Sequence, residues 1–169
     1  MKYMIYVIIE ALIICMIFSI VVIQGVKKNP LSGLHNLPIK IQERVSVLQE
    51  YTYQDIKVMD TKERIIKKLP ALLILLLLFL FMMYWNGART FLDGFLYTLV
   101  LWTIIKVFVS CVLYCLWYAH SPQYWIKGTE DLKDEYQNYW FYLKSIPRSL
   151  CAGVVVSLIV GIVMMFIGG

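Results

Sequence analysis

Two ionisable residues, Glu10 and Lys106, lie deep inside long apolar stretches of the sequence, while Asp93 lies near the end of such a stretch, where it can reach water. A charge in the hydrocarbon region of a bilayer is unfavourable unless it is paired or hydrated, so such residues often mark a functional site. If both stretches are helices starting at one membrane surface, Glu10 is roughly 10 Å deep and Lys106 roughly 20 Å deep. A lysine side chain spans much of that gap. An ion pair between Glu10 and Lys106 is therefore geometrically possible, and one interpretation is a site for a proton, ion or polar ligand between the first and third spans. The alternatives are a structural ion pair, or two side chains that extend separately to the interface.

A second group of polar residues lies outside the apolar stretches and could carry acid–base or metal chemistry. The candidate catalytic residues are His35, His120, Glu130 and Asp131. Histidine and carboxylate side chains can bind a divalent cation together or transfer protons. Their spacing matches no known zinc or two-metal motif, so no metal is predicted and the cofactor stays unknown. The alternative is that the two acids favour the start of a helix and that the histidines are ordinary loop residues.

Small residues recur every four positions in the last apolar stretch, at Gly153, Ser157 and Gly161. This spacing places them on one face of a helix. Small residues on one face allow another helix to approach closely in a membrane. The pattern predicts a helix-packing face, which could supply the contact of a homo-oligomer.

The elements that must position these residues are predicted to be membrane-spanning helices. Of the 169 residues, 60% are hydrophobic, whereas a soluble domain has about 45–50%. The excess forms four blocks that are long enough to cross a bilayer, at about 3–26, 69–85, 91–118 and 150–167. The sequence therefore predicts an all-α, polytopic membrane protein, with residues 1–169 forming a single four-helix transmembrane domain.

Two longer polar segments, 27–68 and 119–149, connect the spans. Apolar residues recur at helical spacing in the first segment, at Ile41, Val45 and Leu48. The spacing predicts an amphipathic helix from Pro38 to Tyr51.

The second polar segment carries the pattern of another amphipathic helix. Thr129 is a candidate helix cap. One apolar and aromatic face follows it, formed by Leu132, Tyr136, Tyr139, Trp140 and Leu143. Such a face predicts a helix that lies at the membrane surface.

The distribution of lysine and arginine predicts the orientation in the membrane. Segments 27–68 and 119–149 together contain thirteen of these residues, whereas the opposite side has only Lys2 and Arg89. Basic residues next to spans concentrate on the cytoplasmic side. We therefore predict a multi-pass protein of the plasma (inner) membrane with both polar segments in the cytoplasm and both termini outside.

The function is not fixed by any motif, because the sequence contains no Walker loop, HExxH, GxSxG or dinucleotide fingerprint. The first hypothesis is a membrane protein that handles a small polar solute, an ion or a lipid head group. It would be a homo-oligomer, because four helices enclose little interior. The alternatives are an enzyme acting on a lipophilic substrate at the cytoplasmic interface, and a non-catalytic subunit or scaffold of a membrane complex. The net charge of +5 lies beside apolar spans, which favours membrane lipid over nucleic acid as a partner.

Overall fold

The computed structural model describes residues 2–48 and 61–168, and within these ranges it is helical and contains no strand. The α-helices of the described ranges are α1 (Lys2–Lys28), α2 (Ile39–Val47), α3 (Thr61–Trp85), α4 (Phe91–Phe108), α5 (Lys133–Tyr136), α6 (Tyr139–Leu143) and α7 (Ser145–Gly168). The all-α prediction is therefore confirmed.

Three stretches of the described residues are long and apolar enough to cross a membrane: Tyr6–Lys28, Phe91–His120 and Tyr139–Ile167. The first of them overlaps the first predicted span, about 3–26, and the other two contain the third and fourth predicted spans. The second predicted span lies in α3, whose apolar part in the described residues, Leu73–Trp85, is shorter. A multi-pass membrane protein is consistent with these helices, and the fourth crossing stays a prediction.

The stretch Phe91–His120 changes its helical geometry along its length. It begins after Thr90, whose Oγ1 caps the helix by accepting from Asp93 N (3.1 Å) and whose hydroxyl donates to Asp93 Oδ2 (2.7 Å). Beyond α4, the helix widens into π-helical geometry over Val109–Trp117 and tightens into a 3-10 turn over Tyr118–His120. The stretch is therefore helical over its whole length, the form in which a chain crossing lipid bonds its own backbone groups.

The chain forms two compact units. Unit 1 comprises Met1–Ile13, Met59–Lys106 and Pro147–Gly169, and unit 2 comprises Ile14–Val58 and Val107–Ile146. Each unit has its own hydrophobic core, and each is described separately below.

Unit 1 is built on close packing between α7 and α4. Its core residues are Met83, Ala88, Val156, Val160 and Met164. A Cβ on Gly153 would lie 2.5 Å from Trp102 Cδ1, and one on Gly161 would lie 2.9 Å from Phe91 O. Ser157 is buried between them and donates to Gly153 O (2.7 Å). The three small residues therefore lie where α7 meets α4 of the same chain.

The core of unit 2 is rich in aromatic side chains. Its buried members are Val26, Leu37, Ile41, Val45, Tyr118, Trp125, Ile126 and Tyr136. The rings of Trp125 and Tyr136 stack with centroids 4.4 Å apart and planes 1° apart. The Tyr136 hydroxyl accepts from Ile126 N (3.2 Å) and bonds the Thr129 hydroxyl (2.7 Å). Tyr136, predicted at the membrane surface, is instead fully buried because both its ring and its hydroxyl have partners here.

The predicted helix Pro38–Tyr51 corresponds to the shorter α2. Ile41 and Val45, one turn apart, are its buried residues. The helix ends at Leu48, whose backbone is extended, and residues 49–51 of the prediction lie outside the described residues.

The second polar segment differs from the single surface helix that the sequence predicts. It forms a 3-10 turn at Glu130–Leu132 and then two short helices, α5 and α6. The break falls at Asn138, whose side chain accepts from Phe141 N (3.2 Å) and so caps α6. Thr129 caps no helix, because its buried hydroxyl donates to Ile126 O (2.6 Å).

Candidate functional site

Three polar residues of unit 1 meet at one place, where α1 lies beside the turn between α3 and α4. Glu10 lies on α1, Asn86 lies in the turn, and Tyr97 lies on α4. Gly87 completes the turn with φ +80°, a conformation that residues with a Cβ rarely adopt. The turn thus presents the Asn86 side chain to Glu10.

These three side chains form a closed hydrogen-bond network. Asn86 Nδ2 donates to Glu10 Oε1 (2.8 Å) and to Tyr97 Oη (2.6 Å), and the Tyr97 hydroxyl donates to Glu10 Oε2. A carboxylate can only accept, so the amide nitrogen and the phenol hydrogen must both point towards Glu10. Each carboxylate oxygen of Glu10 therefore accepts from a neutral donor. These bonds stabilise a charge that would otherwise be unfavourable in the membrane.

The ion pair between Glu10 and Lys106 is not present in the described structure. Glu10 bonds Asn86 and Tyr97 instead. Lys106 is half-buried and forms no hydrogen bond or ion pair with any described residue. Glu10 is therefore part of a hydrogen-bond network with Asn86 and Tyr97, and Lys106 is not.

A cavity of about 390 Å³ adjoins the network. Its walls are mainly apolar, with Asn86, Asp93 and Tyr97 as polar exceptions; the complete lining is Val7, Asn86, Gly87, Ala88, Asp93, Leu96, Tyr97 and Val100. Small-molecule sites typically have about 300–1,000 Å³, apolar walls and a few convergent polar groups. The cavity has these features, and two of its polar residues hold Glu10.

Arg89 is the cation closest in sequence to this cavity, and its guanidinium has other partners. It donates to Tyr84 O (3.1 Å) and Ala88 O (2.8 Å) and lies 4.3 Å from the centre of the Tyr84 ring. Among the described residues no ion pair joins a cation to Glu10 or to Asp93. The site therefore carries two carboxyl groups without a protein counter-ion.

The acids of unit 2 have specific partners in the same unit. Arg44 Nη2 lies 2.7 Å from Asp131 Oδ2, and Lys40 Nζ lies 2.5 Å from Glu135 Oε1. Glu130 Oε2 accepts from the backbone nitrogen two residues earlier (2.9 Å). The hydrogen bond and the charge of Glu135 raise the pKa of Lys40. These contacts favour a structural role for Glu130 and Asp131.

The two candidate histidines are both exposed. His120 Nδ1 lies 3.1 Å from Leu116 O, its Nε2 lies 3.2 Å from the Tyr139 hydroxyl, and its ring stacks on that tyrosine. His35 lies in the 3-10 turn Pro30–Asn36. Within residues 2–48 and 61–168, no group of three or more His, Cys, Asp or Glu side chains is placed to hold a metal ion. No contact of His120 joins it to the candidate acids.

Sequence reasoning identifies Glu10 but not its partners. Asn86 has the ordinary features of a turn residue, and Tyr97 those of an aromatic residue in a span. One signal was available: Asp93 and Tyr97 are four residues apart, so their polar groups share a helix face. Only the fold shows that α1 places Glu10 against that face.

No protein-family model matches the chain, and no curated protein and no solved structure is similar to it.

Proposed function

We propose that the chain is a four-span inner-membrane protein that binds a small polar solute or a lipid head group in the cavity of unit 1. The observation that carries this proposal is the cavity of about 390 Å³ whose polar wall is continuous with the Glu10 network. Apolar walls suit the part of a ligand that prefers lipid, and the polar groups orient its head.

The orientation in the membrane adds a direction to this proposal. In the predicted topology the Asn86 turn faces outward and α3 supplies the fourth crossing. The cavity would then receive its ligand from the outer surface or the outer leaflet. Assembly as a homo-oligomer stays part of the proposal, although α7 uses its small-residue face within the chain, so copies would associate through other surfaces.

The two alternatives receive less support. An enzyme at the cytoplasmic face would need acids available for proton transfer, and of the two candidate acids Asp131 is in an ion pair and Glu130 accepts from a backbone nitrogen. The cavity beside Leu37, Tyr114 and Tyr118 in unit 2 has about 20 Å³, room for about one water molecule. A scaffold role needs no cavity and does not account for the one in unit 1.

The test is to fill the cavity and to count bound molecules. The protein is reconstituted in nanodiscs made with a bacterial polar lipid extract, released in mild detergent and weighed by native mass spectrometry. The wild type is expected to retain a bound small molecule, whereas Val100→Trp is expected to lose it because the indole occupies the cavity.

Leu92→Trp is the matched control, because Leu92 lies on the same helix, is exposed and does not line the cavity. Leu96→Trp provides a second cavity-filling variant if Val100→Trp does not fold, as judged by size-exclusion chromatography. A wild type that retains nothing, or equal retention in cavity-filling and control variants, would contradict the proposal.

A further inference from the structure

The side-chain donors at the cavity of unit 1 are already committed. Both hydrogens of Asn86 Nδ2 are used, one towards Glu10 Oε1 (2.8 Å) and one towards Tyr97 Oη (2.6 Å). The hydrogen of the Tyr97 hydroxyl points to Glu10 Oε2. None of these donors is available to a ligand without disrupting the network.

The backbone donors of the turn are committed as well. The nitrogens of Asn86, Gly87 and Ala88 donate to the carbonyls of Met82 (3.0 Å), Tyr84 (3.2 Å) and Met83 (3.1 Å), respectively. The nitrogen of Asp93 donates to the Thr90 hydroxyl (3.1 Å). The polar part of the wall therefore has no free N–H group to offer an anion.

Acceptors remain at the same place. Asn86 Oδ1 accepts no hydrogen bond from the described residues, and Asp93 uses only Oδ2. Each carboxylate has about four acceptor positions, and Glu10 uses two of them. A ligand head that fits this wall must donate hydrogen bonds. Asp93 lines the cavity and Glu10 is bonded to two of its lining residues, and among the described residues neither carboxyl group pairs with a cation. A cationic donor therefore gains most.

The lining residues of α4 also define an axis from polar to apolar. Asp93, Leu96, Tyr97 and Val100 follow the spacing of one helix face. The distance from Asp93 to Val100 along the helix is about 10 Å. Val7 of α1 forms apolar wall beside this face. A bound molecule therefore meets acceptors at one end and only hydrocarbon at the other.

Building on the function proposed above, we infer that the cavity binds an amphiphile with a primary ammonium head. The head donates to Asp93 and to Asn86 Oδ1, and the apolar part lies along Leu96 and Val100. An aminophospholipid and a free amphiphilic amine share this chemistry. A quaternary ammonium carries the charge without N–H donors, and an anionic head is repelled.

The test compares head groups on the same acyl chains. The detergent-purified protein is titrated with phosphatidylethanolamine, phosphatidylcholine or phosphatidylglycerol, and octylamine is added as a competitor in a separate series; native mass spectrometry measures occupancy. Phosphatidylethanolamine is expected to bind at least about tenfold more tightly than the other two lipids, the usual scale of a charge-assisted hydrogen bond. Asp93→Asn is expected to remove most of that preference.

Asp134→Asn is the matched control, because it removes an exposed carboxylate in unit 2; it is expected to leave the preference unchanged. If no lipid is preferred but octylamine binds and depends on Asp93, the inference holds with a free amine as the ligand. Equal binding of the three lipids, with octylamine binding unaffected by Asp93→Asn, would overturn the inference. In that case loss of a bound molecule on Val100→Trp would still support the cavity as a site.

Discussion

The acidic residues have different kinds of partner in the two units of this chain. In unit 2, Arg44 and Lys40 form ion pairs with Asp131 and Glu135, and the Tyr136 hydroxyl is bonded inside an aromatic core. In unit 1, Glu10 has neutral donors only. Charges that are matched within a unit contribute to its structure, whereas carboxyl groups left without a counter-ion beside a cavity can respond to a ligand. This contrast favours unit 1 as the place of the proposed site more clearly than the number of charged residues does.

The largest expected effect concerns the core of unit 2. Tyr136→Ala removes a fully buried ring that stacks on Trp125 at 4.4 Å. Loss of a large buried aromatic side chain typically costs about 3–5 kcal/mol. Thermal unfolding in detergent should show this loss, whereas Trp140→Ala, at a 73% exposed position of the same segment, should change the free energy of unfolding by less than about 0.5 kcal/mol. A small effect of Tyr136→Ala would mean that the polar segments are not a packed unit.

A smaller effect is expected where α7 packs on α4 in unit 1. Gly153→Ala places a Cβ 2.5 Å from Trp102 Cδ1, and overpacking of this kind costs about 1–3 kcal/mol. Gly25→Ala in α1 is the control, because a Cβ there meets nothing within 4 Å. It should stabilise the helix by roughly 0.5–1 kcal/mol. Equal effects of the two substitutions on the unfolding temperature would show that the close contact does not form.

The smallest effect is expected from the exposed ion pairs. A double-mutant cycle on Arg44→Ala and Asp131→Ala should give a coupling free energy below about 1 kcal/mol, and it should fall as salt is added. The Lys40–Glu135 pair should persist to a higher pH than the ordinary lysine pKa allows, because the pKa of Lys40 is raised. Its contribution is present below the ordinary lysine pKa and is lost as pH rises through the raised value. A coupling well above this range would mean that the acids of unit 2 are not simply surface partners.

Much of the fold follows from local patterns in the sequence. The apolar blocks at 3–26, 91–118 and 150–167 predict helices, and the structure has helices there, because a bilayer-length apolar run leaves the backbone no other way to satisfy its hydrogen bonds. The site follows less well. Glu10 is identifiable because a charge stands out in an apolar run. Its partners depend on which helices touch, and the sequence pattern suggests Lys106 instead of Asn86 and Tyr97.

The second polar segment illustrates the other limit of such patterns. Its apolar spacing is compatible with one surface helix, yet Tyr136 is buried against Trp125 and Asn138 starts a new helix. An amphipathic face looks the same in the sequence whether lipid or protein covers it. Tertiary contacts decide between the two, and the local spacing of apolar residues does not show those contacts.

Serine and glycine alternate every four residues along α7, and this order determines how α7 aligns along α4. Trp102 lies over Gly153 and donates to Ser149 O (3.0 Å), while Phe91 lies over Gly161. Sliding α7 by four residues, about 6 Å, would bring a serine under the indole and would bring Ser157 or Met165 under Phe91. The next matching register is eight residues away, about 12 Å along the helix. Helices inserted separately into the bilayer therefore have one nearby alignment in which α7 and α4 pack closely. That alignment sets the depth of the α4 residues that line the cavity.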